Sequence, residues 1–244
     1  YGREGQDDYH EEMKGHSLRD DLTMGNSLLI QARELPHKVS FIAPDWAEKV
    51  SVEKLQSKGV DLKSHGENFW YIELGGVDKV IEEAENINKR LLALCFGIWD
   101  TIKNSGVFNA DNFDLDFVGF LPAKRESRRM LGDYVMTGND ILSSKRFDDA
   151  VAYGGWPMDD HNPKGFDGEV ANFYTFPSQP YQIPYRTLYS QNVSNLFFAG
   201  RNISLTHMAN SSARVMGTCA TLGEAVGAAA FICKKYDCLP KEVG

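Results

Sequence analysis

The chain has 244 residues, of which 42% are hydrophobic and 11% aromatic, and a formal net charge of −8. That is enough apolar material for one large folded domain or two small ones. The negative charge, unrelieved by any Lys/Arg run, argues against nucleic acid and leaves a small molecule as the expected partner.

Residues 1–22 are charged and loop-like, with room for one short helix, and carry no signal-peptide pattern. The polar start at Tyr1 predicts that the chain is processed or excised from a longer polypeptide, so an export signal can have been lost and the compartment stays open. His10 and His16 flank an acidic run but lack the i, i+4 spacing of a metal-binding helix, and no metal is expected.

Ser27–Gln31 and Val39–Ile42 have strand character, and Pro44-Asp45-Trp46 opens a turn or short helix. Asn68–Leu74 is rich in aromatic and β-branched residues and reads as a strand ended by Gly75-Gly76. Asp78–Asn104 is the clearest helix. Val80, Ile81, Ile87, Leu91, Leu94, Cys95, Ile98, Trp99 and Ile102 recur at helical spacing, Asp78 can cap the start, and Gly106 lies past the end.

Asp116–Pro122 reads as a short buried segment, Tyr134–Thr137 as a strand, and Thr137 as the cap of a short helix over Asn139–Ser144. Val151–Tyr153, Val170–Phe176, Tyr181–Tyr189 and Leu196–Ala199 follow as short strands of an antiparallel region. A final helix is expected over about Ser212–Tyr236, with Ala213, Gly217, Ala220, Gly223 or Glu224, and Gly227 on one face made almost entirely of small residues. Glycine costs a helix about 1 kcal/mol relative to alanine, so this face implies close approach to a sheet or to a flat ligand. No segment reads as long and apolar enough to cross a bilayer, and no membrane partner is expected.

Cys95, Cys219, Cys233 and Cys238 match neither a zinc ribbon nor a Cys-x-x-Cys pair. Cys95 and Cys219 fall in helical patterns as buried thiols. Cys233 and Cys238 either remain thiols or bridge in an oxidising compartment. Asn192, Asn202 and Asn210 begin Asn-x-Ser sequons, which read as chance matches.

The segment from Thr206 to Thr218 gathers groups suited to chemistry. His207 can move a proton near neutral pH. Arg214 is a permanent cation able to hold a carboxylate or alkoxide at two points. Gly217 lets backbone N–H groups approach a ligand at a helix start, where partial negative charge is favoured. Elsewhere, Arg125, Arg128 and Arg129 either meet an anion or form salt bridges with Glu126 and Asp133, the latter being favoured for Arg129. Asp159-Asp160-His161 beside Trp156 is either a pocket rim or a solvated loop.

The block NLFFAGRNISLTHMANSSARVMGTCATLGEAVGAAA (195–230) resembles the last flavin-contacting segment of FAD-dependent oxidoreductases of the glutathione-reductase-like and fumarate-reductase-like type. Lys124–Tyr134, with Arg-Glu-Ser-Arg-Arg, together with Pro184–Ser204 and Thr23–Gln31, resembles a bacterial FAD-dependent oxidoreductase family, some members of which are labelled xanthan lyases. The resemblance implies FAD as cofactor of the complete protein. It implies substrate contacts from His207 and Arg214, while Arg125, Arg128 and His161 are candidate substrate-binding residues by their own charge and position. It implies flavin contacts from Gly200, Arg201, Asn202, Val215, Met216, Gly217 and Thr218. Relatives often carry an acidic residue after the strand glycine, and this chain has Arg201 there.

The fold class expected is α+β. A substrate or cap domain of helices and antiparallel strands would occupy 1–190, and the C-terminal strand–loop–helix of an FAD-binding domain 191–244. No Gly-x-Gly-x-x-Gly fingerprint occurs in the chain. An N-terminal FAD-binding segment is therefore the expected partner, and FAD is expected to bind this chain weakly or not at all. Two rival functions are a carbohydrate lyase or sugar-binding module using Trp46, Trp70 and Trp156 as stacking platforms, and a non-catalytic interaction module.

Overall fold

A computed structural model describes residues 1–11, 18–62, 69, 71–169 and 173–243. In chain order the elements are α1 (Gln6–Tyr9), β1 (Asn26–Ser27), β2 (Ile30–Glu34), α2 (Val52–Ser57), β3 (Glu73–Leu74), α3 (Ala84–Asn104), β4 (Phe113–Val118) and β5 (Ala123–Lys124). They continue with α4 (Gly138–Leu142), β6 (Ala150–Gly154), β7 (Met158–Asp160), β8 (Phe173–Thr175), β9 (Tyr181–Pro184), α5 (His207–Ala213) and α6 (Met216–Tyr236). Helices mix with small antiparallel sheets, so the class is α+β.

The chain forms two compact units. One comprises Tyr1–Met24, Arg125–Asn162 and Val170–Gly244; the other comprises Gly25–Lys124 and Pro163–Glu169. The division does not follow a boundary at residue 190, because the segment after 190 packs with β6, β7 and β9 rather than standing apart.

The Gly25–Lys124 unit is organised by α3, which buries Ile87, Leu91, Leu94, Cys95, Ile98, Trp99 and Ile102 along one face. Gly97 on that helix lies against the carbonyl of Glu48, which a Cβ would strike. The helix begins at Ala84, and Asp78 pairs with Arg90 instead of capping it. Gly106, at φ 74°, lies just beyond its end. Lys103 donates from its ammonium to the carbonyls of Ala110, Asp111 and Phe113 and so closes the following loop. β1 pairs antiparallel with β3 and β5, and β2 with β4.

Three expectations are corrected in this unit. Within the described residues of Asn68–Leu74, only Glu73–Leu74 is strand. Phe69, at φ 67°, starts a turn closed by Ile72 N–H on its carbonyl. Val39–Ile42 belongs to no strand; Val39 N–H instead bonds to Asp111. Asp116–Pro122 is not buried: Phe117, Phe120 and Leu121 are exposed, because β4 pairs with β2 alone.

The other unit packs Met136, Ile141, Ile183, Leu188, Met208 and Leu222 into one core. β6 pairs with β9 and β7 with β8, both antiparallel. Thr137 caps α4 in a reciprocal capping box with Asp140, as the sequence predicts. Leu196–Ala199 is extended but not a buried strand; it makes one bridge, Phe197 to Tyr189, and only Phe198 is buried. The single helix expected over Ser212–Tyr236 is two. Val215, with ψ 150°, breaks the chain between α5, all of whose residues are buried, and α6.

The expectation that no segment could span a bilayer is also corrected. α6, with 21 residues, is long and apolar enough to do so by length and composition, because its many Gly and Ala residues raise its hydropathy. Most of its surface is exposed. Met216 is 89% exposed, and a Cβ built at Gly217, Gly223 or Gly227 meets nothing within 4 Å. Within this chain the glycines of that face, Gly217, Gly223 and Gly227, are therefore open, whereas Ala213 is buried in α5.

Candidate functional site

Thr206 opens α5. Its hydroxyl accepts from Ala209 N–H and donates to Glu11 Oε1 at 2.7 Å. The next residue, His207, is buried, with Nδ1 at 2.9 Å from Glu126 Oε2 and Nε2 at 2.8 Å from Asp160 Oδ1. Each ring nitrogen thus faces a carboxylate, and a doubly protonated imidazole can donate to both. Burial alone would lower its pKa; the Glu126 and Asp160 carboxylates outweigh burial and push it up to about 10.

Arg129 completes this buried charge network. It pairs with Glu126 and with Glu4, the latter at 2.6 Å, and donates to the carbonyls of Gly2 and Leu205. Glu4 also accepts from the His207 backbone N–H at 2.8 Å, which places a carboxylate at the start of α5. Glu11 accepts from Gly138 N–H, and burial holds its carboxyl above the usual range. Two cations, Arg129 and His207, thus tie the N-terminal segment and residues 126 and 160 around one helix end.

A second cluster lies on the neighbouring residue of β7. Asp159 Oδ2 sits 3.1 Å from His161 Nε2 and 3.6 Å from Arg214 Nη2, and Arg214 also donates to the Asp159 carbonyl. Arg125 acts on the same carboxylate. Burial would raise the Asp159 pKa, but His161, Arg214 and Arg125 together hold it below the ordinary value. Two of the residues expected to bind substrate, His161 and Arg214, therefore meet at one acid, and the Arg125 charge acts on it as well. Arg128 does not join them; it is exposed.

His207 and Arg214, the two residues expected to act on substrate together, take consecutive carboxylates of β7. Seven residues apart on α5 and its C-cap, they share a face but lie roughly 10 Å apart along it. His207 has no nitrogen turned to solvent, whereas the Arg214 side chain is 12% exposed.

The residues expected to touch a flavin lie at the strand exit and the α6 start. Gly200 has φ 104°, which favours glycine. Arg201 Nη1 is buried without a partner among the described residues, and its charge reaches the Cys219 thiol in the first turn of α6. Asn202 accepts from Met130 N–H through its carbonyl. Val215 provides no side-chain cap, so the N–H groups of Met216, Gly217 and Thr218 lack the partner that a capped helix supplies. An uncapped helix start, an open Gly217 and a nearby guanidinium form a donor set that fits the electron-rich edge of an isoalloxazine or an anion.

Sequence reasoning missed Glu4, Glu11 and Asp160 as partners of α5, and Asn210, whose buried amide has no partner among the described residues. Only adjacency to His161 and Arg125 marked Asp159 and Glu126. Of the metal-like run, residues 12–17 lie outside the described residues, as does Trp70 of the stacking platforms; Trp46 and Trp156 are each about half exposed.

A family model described as FAD dependent oxidoreductase matches residues 2–244. Searches of curated proteins and of solved structures return no significant match. The chain belongs to the FAD-dependent oxidoreductase family, which supports a flavin oxidoreductase-like function.

Proposed function

We propose that this chain provides the substrate-holding side chains of an enzyme that moves hydride between a small anionic substrate and FAD. The observation that supports this most is the convergence of Arg125, Arg214 and His161 on Asp159. Two guanidiniums and an imidazole act on that one carboxylate, and their positive charge is what suits the place to an anion. A substrate carboxylate or enolate entering there would share the two guanidiniums with Asp159 in charge-assisted bonds. His161, held by Asp159, would orient the substrate.

FAD, when bound, supplies the hydride acceptor or donor at its N5. The α6 terminus would face the pyrimidine edge of the ring through the N–H groups of Met216, Gly217 and Thr218, with Arg201 beside it. His207 would keep its proton and hold Asp160, and through it β7, in place. The open α6 face would pack on a dinucleotide-binding unit, which this sequence does not itself contain. Without that unit the pyrophosphate has no glycine-rich cradle, so this chain alone would hold FAD weakly and be inactive. Stoichiometric yellow protein from this chain would refute that.

The deciding experiment uses the complete enzyme in an anaerobic screen of hydroxy acids, unsaturated acids and neutral sugars, following bleaching of the flavin band. Acids should react, and Arg214→Met should raise their KM about 10- to 100-fold, the loss of one charged hydrogen bond. Turnover of neutral sugars that is indifferent to Arg214→Met would sink the proposal.

A further inference from the structure

α6 ends in a left-handed residue, Asp237, at φ 51°, whose N–H bonds back to the Cys233 carbonyl. The N–H of Cys238 donates to the same carbonyl at 3.1 Å. That second bond is the six-to-one closure of a Schellman turn, which brings the side chains at its two ends together. Aspartate is one of the few residues that tolerate the left-handed region, so the local sequence itself favours this turn. Cysteines occupy both ends. Both are free thiols of intermediate exposure.

We propose that Cys233 and Cys238 are a reversible dithiol–disulfide couple that staples the C-terminal segment to the end of α6. That segment is otherwise held by a few contacts. The Pro240 carbonyl accepts from Tyr185 Oη at 2.7 Å, and Val243 packs beside Tyr185, Tyr189 and Ala229. The oxidant is a small-molecule disulfide. One cysteine thiolate attacks a sulfur of that disulfide and releases a thiolate, leaving a mixed disulfide. The second cysteine thiolate then attacks the first cysteine's sulfur and releases the other thiolate. Two electrons and two protons leave the pair, the oxidant becomes two thiols, and one S–S bond joins residues 233 and 238. Burial, Cys238 and Glu242 hold the Cys233 thiol above its ordinary range, so the exchange is slow at neutral pH.

The test equilibrates the whole chain with mixtures of oxidised and reduced glutathione, quenches with acid and digests after lysine. Lys234 and Lys235 lie between the cysteines, so their peptides stay joined only when bridged. The expected result is a joined pair that is about 2 Da lighter than its two thiol peptides together and is released by a reducing agent. Cys233→Ser and Cys238→Ser should each instead carry one glutathione on the remaining thiol. Thiols that stay free, or a wild-type chain that stops at the glutathione adduct, overturn the couple. A bridge that leaves the thermal midpoint unchanged overturns the stapling role.

Discussion

Asp159 and Asp160 are adjacent on β7 yet serve opposite clusters. Asp160 accepts from buried His207, while Asp159 accepts from His161 and faces Arg214. Successive strand residues point to opposite faces, so one step along the backbone separates a closed charge network from a more open one. The closed network therefore sets where the open cluster sits, and a defect in the first should be felt in the second.

Replacing His207 by leucine leaves Glu126 and Asp160 buried beside an apolar side chain. Removing one member of a buried ion pair typically costs about 3–5 kcal/mol. A urea titration of His207→Leu should show that loss as a lower midpoint. A midpoint within error of the wild type would mean that the imidazolium is not what holds the two carboxylates.

Stability should fall with alkaline pH. The His207 pKa is near 6.5 in an unfolded chain and about 10 in the fold. A raised value stabilises the fold fully below the unfolded pKa and ceases to do so as pH rises through the folded one. The unfolding midpoint should decline from about pH 7 to pH 10, and much of that slope should vanish in His207→Leu. Glu11 adds a decline of the same sign starting at lower pH, because its neutral form is the one the fold favours.

The glycines separate into two kinds. Gly97 touches the Glu48 carbonyl, so Gly97→Ala should cost about 1–3 kcal/mol by overpacking, despite alanine's better helix propensity. Gly223 and Gly227 face open space within this chain, so alanine at each should stabilise it by up to about 1 kcal/mol. Paired melts of the three variants check both signs. In the complete enzyme, Gly217→Val should fold yet lose flavin, read as a lower ratio of 450 to 280 nm absorbance.

Arg129 ties the N-terminal segment down through Glu4 and the Gly2 carbonyl. Arg129→Met should loosen residues 1–4 while Glu11 stays held by Thr206 and Gly138 and the rest of the fold persists. Limited proteolysis should then cut at Arg3 far faster than in the wild type. Equal cutting rates would place the tether elsewhere.

Local pattern carried much of this protein. The buried face of α3, the Thr137 cap, the α+β mixture and the pairing of Arg129 with Glu126 follow from periodicity, capping chemistry and neighbouring charges, all set within a few residues. The 195–230 block is distinctive enough as sequence to point to the flavin family. Tertiary structure alone decided the rest. His207 meets Glu126 from 81 positions away and Asp160 from 47, and no spacing rule reaches that far. Several expected strands shortened or vanished because a strand needs a partner to pair with, and β-propensity does not supply one. Whether a histidine is a mobile proton carrier or a locked cation depends on the carboxylates that folding brings to it, and those contacts exist only once the chain has closed.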